Sequence, residues 1–105
     1  MNSEKILSLL GFAAKAGKLS YGTHATTFAI ESAKAKLVIV AQDISEKSVK
    51  ELKFKADKKN ITVLNPRGID TATLSKKVGK NCGIIAVNDS GFADAISLGG
   101  YANDQ

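Results

Sequence analysis

Apolar residues along the chain recur with two different spacings, and the two spacings alternate. The segments around Leu10 and Leu52 place apolar side chains three and four residues apart, which predicts amphipathic helices. Between such segments lie short apolar runs, notably 38–41 and 83–87, whose lack of alternation is typical of strands covered on both faces. Helices and strands therefore alternate along the chain, which predicts an α/β fold with helical layers around a sheet.

Capping and turn residues indicate where the predicted elements begin and end. The predicted helices begin at Ser3, at Thr23, at Asp43 or Ser45, at Asp70 or Thr71, and at Asp89 or Ser90. The first four end near Gly17, Ala33, Asn60 and Gly79, and the predicted strands are 18–21, 38–41, 61–64 and 83–87. We expect one domain over residues 1–98 and a flexible tail over 99–105, which begins with Gly99 and Gly100.

The charge of the chain favours an acidic partner. Its 15 lysines and arginines exceed its 10 aspartates and glutamates, so the net charge is +5 and the isoelectric point is near 9.4. Arg67 is the only arginine, and lysine is a compact point charge that suits phosphates better than bidentate reading of guanine. We therefore expect recognition of a nucleic-acid backbone rather than of base edges by side chains.

Histidine and cysteine, which often carry catalysis or hold a metal, occur only once each. His24 and Cys82 are the only histidine and cysteine, which excludes a cluster of these ligands and a disulfide within the chain. Asp43 and Asp89 both follow predicted strands, but each also precedes a predicted helix, so N-capping accounts for them. The sequence predicts a protein without catalytic residues, metal or cofactor.

The apolar stretch 6–14 has some likeness to the core of a signal peptide. However, Glu4 precedes it, Lys15 and Lys18 follow it, and no apolar run approaches the ~20 residues of a membrane span. A single cysteine also suits a reducing compartment. We therefore expect a cytoplasmic protein with no membrane partner.

Gly22, Thr23 and His24 form the candidate binding site, because they open the second predicted helix. A glycine at such a junction lets another molecule approach the backbone, and the first helical N–H groups, which have no partner within the helix, favour a phosphate. His24 can contact RNA through a ring nitrogen or by stacking, or it can be an ordinary solvated histidine. Four lysines nearby in the sequence are expected to supply supporting charge: Lys15, Lys18, Lys34 and Lys36.

Four segments carry a likeness to a known family. They read LLGFA and AGK within residues 9–18, KAKLVIVAQDIS over 34–45, LSKKVGK over 74–80 and VNDSGFA over 87–93. In this order, over almost the whole chain, they resemble the ribosomal protein L7Ae/L30e superfamily of kink-turn RNA binders. The likeness is strongest to its bacterial YlxQ-like branch.

The resemblance implies a non-enzymatic three-layer α/β/α sandwich with a mixed four-stranded sheet. In this superfamily the helix start that corresponds to residues 22–26 enters the RNA groove beside sheared G·A pairs. The loop that corresponds to residues 79–83 holds a flipped-out base. The RNA-binding residues so implied are Gly22, Thr23, His24 and Thr26 at the helix start, and Lys80, Asn81 and Cys82 in the loop.

The implied partner is structured RNA, either ribosomal RNA or another RNA that contains a kink-turn, with the ribosome as one setting; no DNA partner is expected. The superfamily usually has asparagine or lysine, then glutamate or glutamine, then a basic residue three positions further along. This chain has His24, Ala25 and Phe28 there, and Ala25 cannot accept a guanine N–H. The alternative function is a protein-interaction module that retains the fold without kink-turn specificity.

Overall fold

Residues 2–102 are described by the structure, a computed structural model, and residues 99–102 are described by their backbone alone. Helices and strands alternate as the sequence predicts. The helices are α1 (Ser3–Lys15), α2 (Gly22–Glu31), α3 (Glu46–Asp57), α4 (Thr71–Val78) and α5 (Ser90–Ala102). The strands are β1 (Leu19–Tyr21), β2 (Leu37–Val40), β3 (Thr62–Leu64) and β4 (Ile84–Val87).

The four strands form one mixed sheet in the order β1-β4-β2-β3. β4 is antiparallel to both of its neighbours, and β2 and β3 are parallel. In the register, Tyr21 lies opposite Ile85, and Leu37 lies opposite Val87. The end of β1, the start of β4 and the end of β2 therefore lie at the same end of the sheet, measured along the strands.

The central strands direct alternate side chains to opposite faces of the sheet, as strand geometry requires. Leu37 and Ile39 of β2 pack in the layer of α1, α4 and α5, while Val38 and Val40 pack against α2 and α3. All four side chains are buried, as the unbroken apolar run predicts. The predicted three-layer α/β/α sandwich is confirmed.

Side-chain caps begin four of the five helices. Among the predicted alternatives the structure has Ser45 for α3, Asp70 for α4 and Asp89 for α5, each accepting an N–H of the first turn. The cap of α1 is Asn2 rather than the predicted Ser3, whose hydroxyl instead donates to the Arg67 carbonyl at 2.8 Å. This contact directs Ser3 away from its own helix, so the prediction of Ser3 as the cap is wrong.

Asp43 binds the start of α4 rather than that of α3. Its Oδ1 accepts a hydrogen bond from the Thr71 N–H at 2.9 Å and another from the Thr71 hydroxyl at 2.8 Å. These bonds hold the pKa of Asp43 below its usual value. The role of Asp43 is therefore structural, as the sequence predicts, although the helix it stabilises is a different one.

Two helix ends differ from the prediction. α2 ends at Glu31, two residues before the predicted end at Ala33. Ala33 is exposed with φ 60° because the chain turns there to pair the Lys34 N–H with the Ala29 carbonyl. The backbone of α5 continues to Ala102, through the Gly-Gly pair at 99–100 where a tail is predicted. Glycine costs a helix only about 1 kcal/mol relative to alanine, and no proline follows. Residues 103–105 of the predicted tail lie outside the described residues.

Candidate nucleic-acid interface

The start of α2 is open to solvent and has no side-chain cap. Gly22 has φ +87°, a left-handed conformation that favours glycine, and no atom lies within 4 Å of the position that a Cβ would occupy. Tyr21 is the N-cap residue, and its side chain accepts no N–H of the first turn. Because these N–H groups also lack partners within the helix, they and the helix dipole are available to an anion.

The exposed face of this helix start carries Thr23, His24 and Ala25. Phe28 follows His24 by one turn on the same face, and 69% of its surface is exposed. The structure therefore presents His24 to solvent beside an unburied aromatic ring. Both side chains are available to a partner, and neither is needed to fill the core.

The loop from residue 79 to residue 82 is held by Ser75 of α4. The Ser75 hydroxyl donates to the Cys82 carbonyl at 2.9 Å and accepts the Cys82 N–H, also at 2.9 Å. Gly79 ends α4 with φ +80°, which turns the chain out of the helix. Lys80 and Asn81 are exposed at the tip.

The start of α2 and this loop lie at the same end of the sheet, where β1 ends and β4 begins. The Lys80 ammonium lies over the Tyr21 ring, 5.0 Å from its centroid, a distance typical of a cation–π contact. Tyr21 directly precedes Gly22, so the contact brings Lys80 to the start of α2. Residues far apart in the sequence are thus brought close together.

A cleft beside the helix start adds a residue that the sequence analysis missed. Thr23 and Thr27 of α2 line it together with Ser48, Glu51 and Lys55 of α3. Lys55 is thereby placed next to the predicted site. The many lysines of α3 gave no signal to single it out, because most of them radiate into solvent.

The side chains of two predicted contact residues, Thr26 and Cys82, face the interior. Thr26 is fully buried, and its hydroxyl finds no hydrogen-bond partner among the described residues. Cys82 is 8% exposed and packs in the core beneath its loop, with both of its backbone polar groups bonded to Ser75. The helical phase turns Thr26 inward two residues after His24 points outward.

All four predicted supporting lysines lie away from Gly22. The Lys18 carbonyl accepts the Asn88 N–H, and the Lys36 N–H donates to Val87, so both lie at the far end of β4. Lys34 follows the C-terminal end of α2, about 15 Å along the helix from its start. Lys15 lies in another groove, between α1 and α4. These lysines do not converge on Gly22, because neighbours in sequence are separated by the length of β1 or α2.

Burial shifts the pKa of two side chains near the site. Burial raises the pKa of the Cys82 thiol, an effect that the nearby Lys80 ammonium partly opposes, and burial together with Cys82 raises the pKa of Tyr21.

Within residues 2–102, no three histidine, cysteine or carboxylate side chains are grouped to hold a metal. No helix in that same stretch has the length and apolar character needed to cross a membrane.

The fold and the site together define a class of protein: a small α/β/α sandwich with an uncapped helix start and a lysine-bearing loop side by side. The chain belongs to the Ribosomal protein L7Ae/L30e/S12e/Gadd45 family, whose family model matches residues 4–97. The family resemblance read from the sequence is confirmed, including its YlxQ-like branch.

Similar proteins from three organisms cover most of the chain. It is 34% identical over 92 residues to the RNA-binding protein YlxQ of Enterococcus faecium, which covers 88% of this chain and 87% of that protein. For the RNA-binding protein YlxQ of Bacillus subtilis (strain 168) the identity is 31% over 98 residues, with 91% and 95% covered. For the large ribosomal subunit protein eL8 of Haloquadratum walsbyi it is 34% over 94 residues, with 89% and 78% covered.

Solved structures share the fold. A Bacillus halodurans protein of unknown function superposes with a TM-score of 0.83 at 30% identity, over 90% of this chain and 94% of that one. The Giardia lamblia 15.5kD RNA binding protein gives a TM-score of 0.76 at 17% identity, over 92% of this chain and 85% of that one. At 17% identity, the similarity to the Giardia lamblia protein supports a shared fold alone.

Proposed function

We propose that this protein binds structured RNA of the kink-turn type, without catalysis or cofactor, in the cytoplasm. The start of α2 receives the phosphate backbone, and the loop from 79 to 82 receives an unstacked base. One observation carries the proposal: the uncapped start of α2 directly follows Tyr21, and the Lys80 ammonium lies 5.0 Å from the centroid of the Tyr21 ring. The names of the YlxQ relatives, which are called RNA-binding proteins, support it.

The proposed recognition is mainly electrostatic and depends on the backbone. The helix start offers N–H donors and a positive dipole end, and Lys80 adds a full charge. Thr23 and His24 are exposed next to these donors and contact phosphate or a base edge. Lys55 supplies a further charge from α3 across the cleft at Thr23. Ribosomal RNA is one proposed source of the target.

Two glycines provide a matched test of this site. Gly22 and Gly17 both have positive φ, +87° and +71°, and both have open space where a Cβ would stand. They lie at opposite ends of β1. Aspartate at either position adds the same charge and a similar backbone strain, but only at Gly22 does it repel a phosphate at the α2 start.

The experiment titrates the pure protein against a kink-turn RNA and against a duplex whose sheared G·A pairs are replaced by Watson–Crick pairs, at two salt concentrations. We expect preference for the kink-turn, its loss in Gly22→Asp and its retention in Gly17→Asp, with similar thermal transitions in both variants. Equal loss in both variants would contradict the placement of the site. Equal affinity for the two RNAs would replace kink-turn specificity with general RNA binding.

A protein-interaction module is the second candidate, and the 69% exposed Phe28 favours it. An unburied aromatic side chain near a binding site is typical of surfaces that receive a protein partner. The same titration separates the two functions. If the wild-type protein binds neither RNA at low salt, the RNA proposal fails and the protein-interaction module replaces it.

A further inference from the structure

A groove of about 740 Å³ lies between α1 and α4, on the helical layer opposite α2. Lys15 of α1 and Lys76 and Lys77 of α4 line it, and Phe12 of α1 stands in its wall. No lining residue of this groove, all of which are described, is acidic. Its volume is within the roughly 300–1,000 Å³ of sites that bind small organic groups. Three cations without a compensating anion favour a polyanionic occupant.

Phe12 supplies the apolar part of the groove. Its surface is 61% exposed although it lies within α1, so the core does not require it. Lys15 follows it by three residues and shares its face of the helix. An exposed ring flanked by ammonium groups has the two features that a nucleotide needs, a surface for the base and a charge for the phosphate.

Gly11 allows the two helices to bring these groups together. A Cβ added to Gly11 would lie 3.1 Å from Cε of Lys77, so the aliphatic stem of Lys77 crosses α1 where that helix has no side chain. The Lys77 ammonium, one atom beyond Cε, is thereby held at the groove. A basic group thus reaches the groove from α4 as well as from α1.

The chain itself links the groove to the loop of the surface proposed to bind RNA. α4 ends at Val78 and leads through Gly79 into the loop that carries Lys80. Lys76, Lys77 and Lys80 therefore form a short basic path from the groove to the start of α2. An RNA strand that extends from the bound structured RNA at Lys80 meets further positive charge along this path.

We propose that the groove binds a single-stranded segment flanking the structured element of the same RNA, with one base stacked on Phe12. Its phosphates lie at Lys15, Lys76 and Lys77. This inference rests on the proposed function, because the structured element is what brings the segment to the groove. Stacking on an aromatic side chain tolerates any base, so the groove contributes affinity without sequence preference.

The test compares two forms of the kink-turn RNA, one blunt and one with a uridine tail of about eight nucleotides on either strand, within the ~4–16 that single-strand sites cover. We expect a tail to raise wild-type affinity about tenfold. Phe12→Ala removes this gain and leaves the affinity for blunt RNA unchanged. Phe54→Ala is the matched control, because Phe54 is 64% exposed on α3, and it keeps the gain.

Lysine variants add a second measure. Lys76→Ala and Lys77→Ala each lower the salt slope for tailed RNA by about 0.7 per lost phosphate contact and leave the slope for blunt RNA unchanged. If blunt RNA binds and neither tail adds affinity, this inference is overturned and the proposed function stands. If neither form binds, both fail. Binding of a glutamate-rich peptide that depends on Phe12, in place of any gain from a tail, would overturn the assignment to RNA.

Discussion

The Lys80 ammonium lies 5.0 Å from the centroid of the Tyr21 ring and joins the loop after α4 to the residue that precedes α2. Such a contact is worth about 0.5–1 kcal/mol at an exposed site, too little to determine the fold but enough to hold a flexible lysine in place. The charge is thereby positioned before a partner arrives, which lowers the entropy that binding must otherwise remove.

Replacing Lys80 is expected to weaken RNA binding in a salt-dependent way. Lys80→Ala removes a charge beside the α2 start, so we expect lower affinity and a salt slope smaller by about 0.7–0.9. Lys36→Ala is the matched control, because Lys36 is an exposed lysine at the far end of the sheet. Fluorescence titration over a range of salt concentrations measures both slopes. Equal effects of the two variants would contradict the position assigned to the interface.

Ser75 is expected to matter for RNA binding although it lies beneath the loop. Ser75→Ala leaves the Cys82 N–H and carbonyl without their partner, and a buried unsatisfied group costs about 1–3 kcal/mol. We expect lower stability in urea and weaker RNA binding, with an unchanged salt slope because no charge is lost. A smaller salt slope would contradict this prediction, because it would mean that the loosened loop moves the Lys80 charge away from the RNA.

Thr26 is expected to be replaceable by valine without loss of stability. Its hydroxyl is buried without a hydrogen-bond partner among the described residues, and valine has nearly the same shape. We expect Thr26→Val to raise the free energy of unfolding by about 1 kcal/mol and to leave RNA affinity unchanged. Thr27→Val, at a half-buried position of the same helix, serves as the control in denaturant unfolding. Destabilisation by Thr26→Val would mean that the hydroxyl is satisfied in solution.

Asp43 is expected to contribute to the loss of stability in acid. The Thr71 hydrogen bonds hold the pKa of Asp43 below its usual value of 3.8, so the unfolded chain binds this proton more readily than the folded one. The carboxylate therefore stabilises the fold above pH 3.8, and this contribution is lost as the pH falls through the lowered folded pKa.

The corresponding variant is Asp43→Asn, which keeps an oxygen acceptor for Thr71 and removes the titration. We expect the free energy of unfolding of this variant to fall less steeply in acid than that of the wild type. Denaturant unfolding at pH values above and below 3.8 measures both. Some acid sensitivity stays, because Thr73 lowers the pKa of Asp70 in the same way. Asp57→Asn, at an exposed position of α3, is the control; an equal change there would contradict the role of Thr71.

Much of the fold could be predicted because its signals are local. The unbroken apolar run of β2 specifies a strand with two covered faces, and a capping side chain such as Asp70 acts on N–H groups within its own turn. The helical start at Gly22 was found for the same reason, since backbone geometry there depends on neighbouring residues. The left-handed turn at Ala33, which follows the end of α2, could not be predicted, because alanine gives no sign of a left-handed conformation.

The sequence by itself determined the elements, the layered class of fold and the position of the open helix start. Only the tertiary structure decided which side chains accompany that start. Pairing β1 with β4 brings Lys80 to Tyr21 and leaves Lys18 and Lys36 at the far end of the sheet. The physical reason is that periodicity and capping act over a few residues, whereas strand order determines which distant residues become neighbours.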